Sequence, residues 1–123
     1  MVVDFSTQLV DLDGDGMEEA KRNKGTGEVI FEGEGDDAKP VMLKLSLARV
    51  AKNSLMASFE DEKNLDADAK LTRWNLAQKI NRGAKNYSVE DVALVKKLIA
   101  KAYGVQVVGP ALDILEGDTK DEE

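Results

Sequence analysis

No cysteine and no histidine occur anywhere in these 123 residues, so packing alone has to hold the chain folded. Disulfides are excluded, and structural zinc loses the ligand types on which it relies. A chain of this size is just long enough to bury one core. The same double absence narrows the chemistry. Ser-His-Asp and Cys-His catalysis, histidine-held haem and thiol redox all drop out. Carboxylates, lysines and oxygen-ligated metals remain.

The core must therefore come from amphipathic elements, and their periods change along the chain. In the first third, Phe5, Thr7, Leu9 and Asp11 alternate with Ser6, Gln8 and Val10, which predicts a half-buried strand near residues 3–11. Asp13-Gly14 and Asp15-Gly16 supply turn chemistry, and a polar stretch from Glu18 to Gly27 leads to the β-branched and aromatic run Glu28–Glu32. After an acidic, glycine-rich loop from Gly33 to Pro40, Val41, Leu43 and Leu45 alternate with Met42 and Lys44 as a third strand. Three such strands make a small antiparallel meander, which needs a helical layer over its apolar face.

The rest of the chain has helical spacing. Ser46 is an N-cap for a helix carrying Leu47, Val50, Ala51, Leu55 and Phe59. Asp66 caps a second, with Leu71, Trp74, Ala77 and Ile80 expected inward and Gly83 at its end. Trp74 is expected to anchor the core. Ser88 and Asp91 form a capping box for a third, whose Val89, Val92, Val95, Leu98, Ile99 and Ala102 make a wide apolar band that stops at Gly104. Pro110 suits the first turn of a short fourth helix bearing Ala111, Ile114 and Leu115. The expected fold is α+β, a small antiparallel β-meander packed against three helices plus a short C-terminal one. The expected domain is 1–116, followed by a disordered acidic tail, 117–123, without an apolar residue.

Charge is unevenly distributed. Residues 1–40 hold eleven acids against four bases, residues 41–116 nine against twelve, and residues 117–123 four against one. An acidic arm and tail thus flank a mildly basic body, a pattern that suits an interaction surface. No apolar stretch is long enough to span a bilayer and no secretory leader is recognisable, so a cytoplasmic protein is expected.

Asp11-Leu12-Asp13-Gly14-Asp15-Gly16 matches the opening of a calcium-binding EF-hand loop, where alternating carboxylates surround a tight turn. The twelfth position, which should close the shell with a bidentate glutamate, is Arg22. A structural turn is the expected role, and a weak calcium site at Asp11, Asp13 and Asp15 is the alternative. Glu18, Glu19, Glu32, Glu34, Asp36 and Asp37 sit in glycine-rich loops read as solvated, where a carboxyl stays too acidic for acid–base work. No phosphate loop accompanies the glycines, and no cofactor is expected. Basic residues gather on the last two long helices and their connection, at Lys79, Arg82, Lys85, Lys96, Lys97 and Lys101. Of these, Lys79, Arg82, Lys96, Lys97 and Lys101 are candidate interaction residues. Glu90 and Asp91 dilute the patch, and the helix–Gly83–helix passage is too long for a helix-turn-helix, so nucleic acid is disfavoured as a partner.

Asp4-Phe5-Ser6-Thr7-Gln8-Leu9-Val10-Asp11-Leu12-Asp13-Gly14, the helix near Leu47 to Leu55, the break Glu60-Asp61-Glu62-Lys63-Asn64-Leu65, Leu76-Ala77-Gln78-Lys79-Ile80 and Ala102-Tyr103-Gly104 form one order along the chain. Together they resemble small uncharacterised proteins encoded by tailed phages and prophages. The acidic insert around Gly25 to Gly35 departs from that pattern. The resemblance implies a phage origin and a role in interaction or assembly, and it transfers no catalytic residue. The expected function is that of a non-enzymatic protein–protein interaction or assembly protein with a phage or host partner. Such a protein works in the host cytoplasm, and a place in the virion is compatible with it. A homo-oligomer held by the third-helix band is a further expectation. The alternatives are an acidic inhibitor that mimics nucleic acid or blocks a host defence factor, and a weak nucleic-acid binder using the basic helices.

Overall fold

The computed structural model describes residues 1–116, so the acidic tail 117–123 lies outside the described residues. The fold is α+β, with an N-terminal antiparallel β-meander packed against helices. Four short strands, β1 (Glu18–Ala20), β2 (Phe31–Glu32), β3 (Lys39–Pro40) and β4 (Met42–Lys44), precede α1 (Leu47–Met56), α2 (Ala67–Asn81), α3 (Val89–Ala102) and α4 (Val105–Leu115).

The helices form as their caps dictate. Ser46 Oγ accepts from Arg49 N–H, Asp66 from Ala69 N–H, and Ser88 and Asp91 complete a reciprocal capping box. Gly83 ends α2 at φ +81°, a left-handed conformation that only glycine adopts without a Cβ penalty. At the centre lies α1, against both α2 and α3, with α4 packed on α3. Leu47, Val50, Ala51 and Leu55 of α1 meet Leu76, Ala77 and Ile80 of α2 and Val92, Val95, Leu98 and Ile99 of α3, and all are buried. The α3 band is therefore covered within the chain. Only its ends, Val89 and Ala102, stay exposed, so the band is core and offers no face for an oligomer.

Four details differ from the sequence reading. Residues 3–11 form no continuous strand. Asp4 turns the chain there, accepting from Ser6 through its carboxylate and from Thr7 through its carbonyl. The segment beyond makes only isolated bridges, Gln8 to Ser46 and Val10 to Gly16. Instead β1 arises in the polar stretch after Gly16 and pairs with β4, Glu19 opposite Leu43. On α2, Leu71 and Trp74 face outward, and Trp74 is 47% exposed. The inward stripe is Arg73, Leu76, Ala77 and Ile80, at spacings of three and four. Finally, α4 begins five residues before Pro110, capped by Gly104, so the proline lies inside the helix rather than in its first turn.

The β-region is a ribbon that branches twice. Near the body, Leu9 N–H donates to Leu45 C=O, Leu45 N–H to Met17 C=O and Met17 N–H to Leu9 C=O. Leu9 and Leu45 are buried in the helical core and Met17 packs against it. The β1–β4 ladder leads outward to a second ring, in which Lys21 donates to Val41, Val41 to Ile30 and Ile30 to Lys21. Two hairpins leave this junction. One turns at 23–27, with Asn23 Oδ1 accepting from Gly25 and Thr26. The other pairs β2 with β3. Residues 18–44 form an arm rooted at the N-terminal end of α1.

Candidate functional site

The aspartate loop is a turn that uses its own carboxylate. Asp11 Oδ1 accepts the backbone N–H groups of Asp13 (2.9 Å) and Asp15 (3.0 Å), and Gly14 takes φ +87°. Arg22, in the position a closing glutamate would hold, donates to Gly27 C=O in the first distal hairpin. Among the described residues no group of three acidic side chains is arranged to hold a metal ion.

The basic candidates divide by their surroundings. Lys79 lies 4.0 Å from Asp91 and over the Tyr87 ring, Lys96 pairs with Glu116, and Lys101 pairs with both Asp61 and Glu62. Arg82 and Lys97 are exposed. Among the described residues neither forms an ion pair. Of the loop carboxylates, Glu19 pairs with Arg49 of α1, and Glu18, Glu32, Glu34, Asp36 and Asp37 are exposed.

What the sequence did not reveal is an open cleft of about 540 Å³ at the C-terminal end of α1. The chain leaves α1 at Met56, makes a single 3-10 turn at Glu60–Glu62 and enters α2. Leu55, Met56, Phe59 and Leu65 line the cleft on one side and Lys70, Arg73 and Trp74 of α2 on the other. Its floor is an ion pair. The Arg73 guanidinium, on a residue 8% exposed, donates to Glu62 in bidentate fashion, at 2.8 Å and 2.6 Å. Lys101 reaches the same carboxylate at 3.3 Å while lying over the Phe59 ring. The Arg73 hydrogen bonds, helped by Lys101, hold the Glu62 carboxyl down to about 2. Correspondingly, Glu62 pushes the Arg73 guanidinium higher still, and Asp61 raises Lys101.

This floor is hydrogen-bonded and charged, whereas apolar side chains stand open at the rim. Met56 is 55% exposed, and Trp74 presents the only indole in the chain. Lys63 and Lys70 stand exposed beside them, outside any ion pair among the described residues. A signal for the site existed in the spacing. Leu71 and Trp74 lie three apart while Arg73, Leu76 and Ile80 make the other stripe, so α2 has two apolar faces and only one can meet α1. A second cavity of about 400 Å³ is bounded by Asp4, Ser46, Lys52 and Asn81, the last two joined by a hydrogen bond.

Comparison of the chain with known protein families, curated proteins and solved structures finds no match.

Proposed function

We propose that this chain is a non-enzymatic interaction or assembly protein of phage origin, and that the Trp74 cleft is where it meets a protein partner. One observation carries the reading. An exposed indole and a methionine rim a concave, partly cationic surface over a fixed Arg73–Glu62 floor. Tryptophan and arginine are the residues most enriched where protein interfaces concentrate their binding energy, and a preorganised floor lowers the entropy lost on docking. Phage origin rests on the resemblance carried by Asp4 to Gly14 and the later segments. A host-cytoplasmic setting is proposed with it, and among the described residues no helix is long and apolar enough to cross a membrane. A nucleic-acid partner is weakly supported, because Lys79, Lys96 and Lys101 are occupied by the chain's own carboxylates.

Plating tests this directly. A phage carrying Trp74→Glu with Met56→Glu should lose plaque formation while the purified protein keeps its helical circular dichroism. Lys97→Glu with Arg82→Glu should plate normally. Normal plating of the cleft variant would overturn the cleft as the functional surface.

A further inference from the structure

The arm and the residues lining the cleft carry opposite charge. Residues 28–37 hold five acids and no base, and among the described residues Glu28, Glu32, Glu34, Asp36 and Asp37 form no ion pair. In their midst Phe31 is 59% exposed, on a two-residue strand that has no core of its own. A solvated phenylalanine at the end of a hydrogen-bonded ribbon gains free energy wherever it is covered. The cleft offers the converse set. Lys63, Lys70 and Arg73 line it with a single carboxylate, Glu62, which Arg73 already neutralises. All three acids beside it are exposed; Asp61 is held by Lys101 and Asp66 caps α2, leaving Glu60 outside such contacts among the described residues. Arm and cleft also lie at opposite ends of α1. The arm is rooted at its N-terminal end and the cleft opens at its C-terminal end, a helix length of about 15 Å away. A chain presents both halves of this contact in different places.

We infer that the cleft receives the arm of a second copy of this chain, with Phe31 seated against Trp74 and Met56 and the flanking carboxylates facing Lys63 and Lys70. The contact joins two different surfaces, so it is heterologous. It closes as a reciprocal pair or a ring, or runs on as a filament, according to the rotation between copies. The aromatic contact supplies the affinity, and the charges orient the arm and make the association salt-sensitive. This inference rests on the cleft being the functional surface and names its occupant.

Because Trp74 is the only tryptophan, its emission reports occupancy of the cleft. The full chain is followed by fluorescence and sedimentation from micromolar to millimolar concentration, in low and moderate salt. Emission should shift to the blue as sedimentation quickens, both at higher concentration, and salt should reverse the change. Phe31→Ala and the pair Lys63→Glu, Lys70→Glu should each stay monomeric with fixed emission. Their equimolar mixture should form a heterodimer and nothing larger, since it contains one intact arm and one intact cleft. Association that survives Phe31→Ala, or a chain that stays monomeric with unchanging emission, overturns the inference. A monomeric chain whose Trp74→Glu, Met56→Glu variant still fails to plate would assign the cleft to a different protein and leave the proposed function standing.

Discussion

At the scale of single residues, the cleft floor shows how one arginine is held in a mostly apolar setting. Arg73 is tolerated because both oxygens of Glu62 meet its guanidinium, and an arginine left without that carboxylate is costly. Glu62 is depressed in the folded chain, to about 2 from an ordinary 4.5. Its contribution to stability is therefore complete above the unfolded value and is lost as pH falls through the folded one. Acid denaturation followed between those two pH values should be less steep in Glu62→Gln, whose midpoint at neutral pH should already be lower. An unchanged acid limb would detach Glu62 from stability. Trp74 makes the opposite case. Because the ring is half exposed, Trp74→Ala should change stability by less than about 1 kcal/mol, whereas Leu98→Ala, in a fully buried position, should cost about 2–5 kcal/mol. Chemical denaturation of both variants checks the contrast. Calcium is expected to leave the melting temperature unchanged at millimolar concentration, because the Asp11 carboxylate already closes the turn. A rise that saturates with calcium would restore the loop as a binding site.

At the scale of elements, the caps were the most legible part of the sequence. Ser46, Asp66 and Ser88 each accept the N–H expected of them, because a cap is a local contact within four residues. Ser88→Ala removes the hydroxyl that accepts from Asp91 N–H, one half of the box on α3, and should cost about 1 kcal/mol, read as a lower denaturation midpoint with an unchanged slope. Alternation also read correctly in Met42–Lys44, where Leu43 is half-buried between exposed neighbours. Failures came where a distant partner decides. The period of α2 fits two faces, and only the position of α1 selects Arg73 and Leu76 over Leu71 and Trp74. Residues 3–11 have the alternation of a strand, but Asp4 folds them into a turn and their neighbours take single bridges. Pro110 is a good helix start, yet it sits within α4, since Gly104 caps the turn ahead of it. Beyond that second face of α2, the cleft was hidden for the same reason. Its walls come from α1, the 3-10 turn and α2, and its defining pair spans eleven residues.

At the scale of the whole molecule, the chain divides into a packed body and a branched ribbon that draws little on it. The two backbone rings mark the division. Leu9 and Leu45 of the inner ring belong to the same buried cluster as α1 and α3, so their amides open only when the body does. The outer ring, at Lys21, Ile30 and Val41, is held by three backbone hydrogen bonds and by side chains that are at most half-buried. Opening it exposes little new apolar surface, and such regions exchange by local fluctuation at low free-energy cost. Hydrogen exchange at low protein concentration should therefore give the Leu9, Met17 and Leu45 amides protection close to that of Val95 and Ile99. The Lys21, Ile30 and Val41 amides should exchange far faster despite the same ring geometry. Raising the concentration should slow the outer ring selectively, because docking on a second copy covers the arm and leaves the body as it was. Equal protection of both rings in dilute protein would mean that the arm is part of the folded body. Its exposed Phe31 and acidic residues would then be fixed surface rather than a mobile contact element.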